Sequence, residues 1–344
     1  VDCIRNHFPE IKIHLAEVHA RTRAAFSIPA EPPDSDNGLS CRFCINQCRI
    51  APGERGFCGT RQNTGTKIVG GGPQEGNLSW YDDPLPTNCV GDWICPGGTG
   101  CGYPEYSHSK SAEYGYKNQA VFFHSCTFNC LFCQNWHFRA QSTKKGEKGP
   151  GHIVDGVDNS TACICYFGGD PTPHLPYAIR ATKLALEKKK ESILRVCWET
   201  NGAMNPKLLD KMAELSLQSG GCVKFDLKTW DPGLHFALCG VSNRWTLSNF
   251  ERLVELIPQR PTPPFLIAST LMVPGYVDER EVGQIASFIA SLDPDIPYSL
   301  LAFHPQFQMQ DLPPTSRQQA RKCLDAARSA GLRRIKIGNR HLLI

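Results

Sequence analysis

His124-Ser-Cys126-Thr-Phe-Asn-Cys130-Leu-Phe-Cys133-Gln-Asn-Trp136 follows directly on an apolar, strand-like run, Ala120–His124. The cysteines stand in a CxxxCxxC spacing with an aromatic, Phe132, just before the third. Three thiolates this close can take three corners of one [4Fe-4S] cube and leave its fourth iron without a protein ligand. An open metal position is a place for chemistry. A zinc site is the alternative, but zinc wants a fourth tight ligand and none is adjacent in the chain.

Working outward, the surrounding chain has 344 residues, 17 cysteines and a formal charge of +4. That length predicts one large domain with an appendage. The basic clusters, Lys188-Lys-Lys190 and Lys144-Lys145, are short and read as a solvated face, so no nucleic-acid partner is expected. No apolar stretch approaches roughly 18 residues, so no membrane partner is expected either. An odd number of clustered cysteines with no secretion signal at Val1-Asp-Cys-Ile-Arg argues against a disulfide framework. It predicts metal ligands in a reducing, anaerobic cytoplasm. Cys163, Cys165, Cys197, Cys222, Cys239 and Cys323, mostly in strand-like runs, read as buried small hydrophobes.

Two regions differ in texture. Residues 1–118 are rich in Gly, Pro, Asn and Cys; beyond a helix over Ile11–Phe26 they show little periodicity, and a second metal would help hold them. From residue 119 to 344 apolar runs alternate with helical stretches. The predicted strands are Ala120–His124, Ala162–Phe167, Leu194–Glu199, Cys222–Leu227, Phe265–Met272, Tyr298–Phe303 and Arg334–Ile337. The predicted helices are Pro176–Lys190, Pro206–Gln218, Thr246–Ile257, Glu279–Leu292 and Thr315–Ala330. Continuous apolar runs in βα alternation imply parallel strands buried on both faces. The expected fold is α/β, a partial (β/α)6-type TIM-like barrel with an irregular Cys-rich N-terminal region.

In such a barrel, functional groups sit on loops after the C-terminal strand ends. The unusual polar clusters all fall there: the cysteine loop after His124, Gly168-Gly169-Asp170-Pro171, Glu199-Thr200-Asn201-Gly202, Asp226-Leu227-Lys228 and His304-Pro305. The two glycines let backbone approach a ligand closely, and their carbonyls can accept from an ammonium. Glu199 can hold hydroxyls or a cation, Lys228 a carboxylate, and His304 a heterocycle or sugar. In the N-terminal region Cys41, Cys44, Cys48 and Cys58 can fill a zinc site or hold another cluster. Cys89, Cys95 and Cys101 can line a channel, ligate iron or be structural.

These motifs together resemble the radical S-adenosylmethionine (SAM) superfamily. Cys133-Gln-Asn-Trp136, Glu199-Thr-Asn-Gly202, Asp226-Leu-Lys228, Gly240-Val-Ser-Asn243, Val273-Pro-Gly275, Phe303-His-Pro305 and Leu312-Pro-Pro-Thr315 resemble its glycyl-radical activating enzymes, such as pyruvate formate-lyase activating enzyme, and its AMMECR1-linked proteins. The resemblance implies that Cys126, Cys130 and Cys133 hold a [4Fe-4S] cluster whose open iron chelates SAM. Homolysis then gives a 5′-deoxyadenosyl radical. It implies that Phe132 packs near the adenine, that Gly168, Gly169 and Asp170 stand where the family has GGEP, and that Glu199, Thr200 and Asp226 carry a monovalent cation, with Asn201, Lys228 and His304 around the cofactor. The partners implied are a protein or peptide substrate and an electron donor such as flavodoxin or ferredoxin. The Asn88–Tyr103 run resembles a cobalamin-dependent branch that methylates a peptidyl residue, such as the glutamine Cα of methyl-coenzyme M reductase. Against it, no DxHxxG motif and no preceding Rossmann-like domain are present. An iron–sulfur electron-transfer protein is the non-catalytic alternative.

Overall fold

The computed structural model describes residues 1–344. All seven predicted strands form, with ends shifted by three residues at most. The helices over Pro176–Lys190, Pro206–Gln218, Glu279–Leu292 and Thr315–Ala330 form within two residues of their expected ends, and the one over Thr246–Ile257 starts two residues early and stops at Val254. An eighth strand, β1 (Leu78–Pro84), precedes them. The others are β2 (Lys117–Phe123), β3 (Thr161–Gly168), β4 (Arg195–Thr200), β5 (Val223–Asp226), β6 (Leu266–Met272), β7 (Tyr298–Ala302) and β8 (Ile335–Gly338). They make one sheet in chain order from β1 to β8. β1 pairs antiparallel with β2; every later neighbour is parallel. This is the expected mostly parallel α/β fold.

Helix α1 (Phe8–Ala24) packs beside the later α4 (Pro232–Cys239), and α2 (Leu175–Lys188) and α3 (Pro206–Ser219) follow β3 and β4. Then come α5 (Arg244–Val254), α6 (Glu279–Leu292) and α7 (Arg317–Ser329). α4 was not expected from periodicity, yet its ends are legible. The Asp231 carboxylate accepts from the Leu234 N–H at 2.7 Å, and Gly240 closes the helix at φ +72°.

The regions on either side of residue 118 share one hydrophobic core. Cys41, Cys48, Ile50, Phe57 and Leu78 belong to the same buried cluster as Val121, Trp198 and Phe225. The N-terminal region also supplies a segment, Asn88–Glu113, that lies against the inner side of the sheet. Ser299 Oγ on β7 donates to the Val90 carbonyl at 2.7 Å and itself accepts from Trp93 Nε1 at 3.1 Å. Lys336 on β8 meets Asp92 at 3.0 Å. Arg195 on β4 forms a buried two-point pair with Glu113. No helix is long and apolar enough to cross a membrane.

Candidate active site

Strand order places the loops after β2, β3, β4 and β5 side by side, and their side chains close around one cleft. Cys126, Cys130, Cys133 and Phe132 line it, as do Gly168, Gly169 and Asp170, then Glu199, Thr200 and Asn201, then Asp226 and Lys228. Residues from four separate strand ends therefore converge on one cleft.

The glycine turn is sterically required. Gly168 has φ +109°, and a Cβ there would come within 2.6 Å of the Phe123 nitrogen. At Gly169 a Cβ would come within 2.1 Å of the Ser125 carbonyl oxygen. Their backbone thus passes directly against the base of the cysteine loop. Asp170 braces this contact. Its buried carboxylate accepts from Thr200 Oγ1 at 2.7 Å, from the Asn201 N–H at 3.0 Å and from the Thr172 N–H at 2.9 Å. Burial nevertheless holds its pKa above the ordinary value. Asn201 in turn donates to Thr127 Oγ1 at 2.8 Å and to Cys126 Sγ at 3.7 Å.

The two carboxylates expected to share a cation each already face an ammonium. Glu199 meets Lys224 at 2.8 Å, and Asp226 meets Lys228 at 2.7 Å and accepts from Ser269 Oγ at 2.7 Å. Burial works against the Lys228 ammonium, but Asp226 and Cys130 outweigh it and raise its pKa. Lys228 also stands 5.9 Å from the Phe132 ring. Thr200 is occupied by Asp170. His304 is not brought to the cleft. β7 ends at Ala302, Phe303 turns inward, and His304 is exposed, its Nδ1 3.2 Å from the Pro305 carbonyl.

An iron–sulfur cluster fits this donor set. Burial pushes the Cys126 and Cys133 thiols up, and contact with Cys239 does so for Cys130. Such thiols become ligands when a metal supplies the missing positive charge. Arg139, which the sequence reading missed, is buried in the same wall; it donates to the Cys130 carbonyl at 3.3 Å, yet its Nη1 has no acceptor. An orphaned guanidinium N–H beside three thiols suits an anionic cluster. As the side chains stand, no three His, Cys, Asp or Glu residues come close enough to grip a single metal ion.

Residues 120–289 match the model of the Radical SAM superfamily. The chain is a radical SAM protein. An uncharacterized protein of Methanocaldococcus jannaschii is 24% identical over 316 residues, 88% of this chain and 82% of that one. The isethionate sulfite-lyase activating enzyme of Desulfovibrio desulfuricans is 30% identical over 139 residues, 40% of each chain. Among solved structures, a domain of pyruvate-formate lyase-activating enzyme from Bacteroides vulgatus has a TM-score of 0.41 at 22% identity, covering 51% of this chain and 98% of that one.

Beside this radical SAM site lie two further cysteine groups. Cys41, Cys44, Cys48 and Cys58 line one small cavity with Thr127, the neighbour of Cys126. The Phe57 N–H donates to Cys48 Sγ at 3.4 Å. Arg23, near Cys48 and Cys58 on one side and Cys126 on the other, is buried against the Phe57 ring at 3.5 Å, with its pKa pushed down to about 9 by burial and by Arg139. The second group extends an expectation. Cys239 and Cys323 are fully buried, as small hydrophobes would be. Cys163, Cys165 and Cys222 are buried too, as expected, while Cys197 is half-buried; what the expectation lacked is that all four line a cavity inside the sheet together with Cys89 and Cys95. Lys224 stands among them, 2.9 Å from Cys89 Sγ and 3.3 Å from Cys165 Sγ. Glu199 lines this cavity and the SAM-side cleft alike.

Proposed function

We propose that this protein reductively cleaves SAM and uses the resulting radical to abstract hydrogen from a residue of a protein or peptide substrate. The observation that carries the reading is the convergence of Cys126, Cys130, Cys133, the Gly168-Gly169 turn and Lys228 on one cleft. When bound, a [4Fe-4S] cluster supplies the electron that breaks the sulfonium bond. The chain's own residues do the rest. Cys126, Cys130 and Cys133 hold the cluster, and Arg139 neutralises part of its charge. The Gly168-Gly169 backbone accepts from the amino group of SAM, while Lys228 faces its carboxylate. Phe132, Phe138, Phe167, Leu271 and Leu301 form apolar walls that exclude water from the radical.

Anaerobic reconstitution followed by assay with SAM and dithionite tests this. Formation of 5′-deoxyadenosine supports it; a fully loaded cluster that cleaves no SAM refutes it and leaves the electron-transfer reading. The cobalamin-dependent methyltransferase alternative shares the first step. It predicts S-adenosylhomocysteine in addition, dependent on added cobalamin. A flavodoxin or ferredoxin replaces dithionite in this scheme. We assign a second metal, zinc or iron–sulfur, to the pocket of Cys41, Cys44, Cys48 and Cys58, whose sulfurs would have to close in from where they stand. With Lys224 and Lys228 already paired to Glu199 and Asp226, a monovalent cation is dispensable.

A further inference from the structure

Parallel barrels are filled inside by branched aliphatic side chains. Here the inner face of β3, β4 and β5 carries thiols and an ammonium. Cys197 and Cys222 are the pair that matters. Trp198 and Val223 are partners in the β4–β5 register, so Cys197 and Cys222 stand opposite each other one position earlier, on the same face. Adjacent strands run about 4.7–4.9 Å apart. That lies within the Cα separation of roughly 4.4–6.8 Å that a disulfide spans. Their sulfurs are 3.8 Å apart. Both line the inner cavity, whose mouth includes Tyr81, itself 52% exposed.

We propose that Cys197 and Cys222 are a modification site: a dithiol that a low-molecular-weight disulfide converts to an intramolecular disulfide. One thiol loses its proton and attacks a sulfur of the reagent, whose S–S bond breaks and releases one thiolate. The other thiol loses its proton and attacks the mixed disulfide, releasing the reagent's second half. Two protein thiols are oxidised, one reagent disulfide is reduced to two thiols, and the two protons end on those products. The new bond brings the sulfurs to about 2.05 Å. This happens two residues before Glu199 on β4 and two before Lys224 on β5, directly beneath the ion pair that the SAM-side cleft shares.

Two pairs compete: Cys165 is the register partner of Cys197 across β3 and β4, and the cysteine loop offers the second. Cys130 and Cys239 have sulfurs 3.6 Å apart. In the cluster-loaded protein Cys130 is a ligand and is withheld from exchange, so the test uses that form. The loaded protein is treated anaerobically with bis(2-hydroxyethyl) disulfide, acid-quenched, digested without reductant and mapped by mass spectrometry. The expected product joins the Cys197 peptide to the Cys222 peptide and is reversed by dithiothreitol. In Cys222→Ser, Cys197 keeps the reagent's half as a mixed disulfide; retained cluster absorbance shows that this variant folds. Absence of modification at both residues in the unsubstituted protein overturns the proposal. So does a linkage joining other cysteines, such as Cys130 to Cys239 or Cys89 to Cys165.

Discussion

Lys224→Met removes the one cation that faces Glu199 and leaves the side chain's bulk in place. The Lys224 side chain is 2% exposed and its ammonium lies 2.8 Å from Glu199. Burial alone would drive this ammonium down; the Cys165 and Cys89 sulfurs and the Glu199 carboxylate outweigh it and hold it charged. Removing one partner of a fully buried pair costs about 3–5 kcal/mol, because the other charge is left uncompensated. Glu199 keeps 30% of its side chain exposed, so water recovers part of that. A loss of about 2 kcal/mol is expected in urea denaturation of the cluster-free chain. The functional consequence is sharper. In the native protein Glu199 and Asp226 are balanced by Lys224 and Lys228, so SAM cleavage should run equally in potassium and tetramethylammonium chloride at matched ionic strength. In the variant an unpaired carboxylate faces the cleft, and potassium should restore cleavage that tetramethylammonium does not. A native protein that requires potassium, with a variant that behaves identically, would refute the charge argument.

Three other outcomes follow from the site. His174 stacks on Phe123 with rings 5.2 Å apart, neither ring nitrogen has a partner, and burial pushes its pKa down to about 3. It stays neutral in the fold while the unfolded chain protonates near pH 6.5, so stability present above that pH is lost as pH falls towards 3. From pH 7 to 5 this amounts to about 2 kcal/mol, and His174→Leu should remove that much of the pH dependence in parallel denaturation curves. Gly169→Ala drives a methyl into the Ser125 carbonyl; about 3 kcal/mol of stability and most of the bound iron should be lost, read by denaturation and iron analysis. On the proposal that Cys41, Cys44, Cys48 and Cys58 bind a second metal, Cys44→Ala should lower the metal content per chain by that metal alone and leave the iron assigned to Cys126, Cys130 and Cys133, as anoxic metal analysis would measure.

The parallel strands were legible because most are largely buried on both faces and read as mainly apolar runs. Ala162–Phe167 and Phe265–Met272 could hardly be anything else. β1 was not, since Leu-Ser-Trp-Tyr-Asp-Asp-Pro is an edge strand with alternating exposure and two acids. The cleft was legible for a topological reason. In a parallel sheet all strand ends of one polarity share a rim, so a motif's place in the βα alternation gives its place in space. That rule locates a residue and does not orient it. It put His304 on the rim, where the chain turns its ring to solvent. It likewise assigned Glu199 and Asp226 to a shared cation without revealing Lys224, which lies two residues before Asp226 on the same strand and meets Glu199 only once β4 and β5 are paired. Which of the many cysteines meet is a long-range fact: Cys89 and Cys165 are brought together by Lys224 across a fold that no spacing encodes.

The inner segment Asn88–Glu113 explains why the Cys-rich region and the barrel cannot be treated as separable. Arg195 and Lys224 sit on β4 and β5 as buried cations, where a stable barrel would use aliphatic residues. A buried ion pair is weak evidence for stability, because desolvation offsets most of its attraction, whereas an orphaned partner is strongly destabilising. Arg195 finds its carboxylate, Glu113, only in the N-terminal region. Lys336 likewise finds Asp92 there, and Lys224 finds the sulfur of Cys89. The barrel interior is therefore written to be read together with that segment. Glu199, which lines both the inner cavity and the SAM-side cleft, is the side chain through which the segment's position is felt at the site.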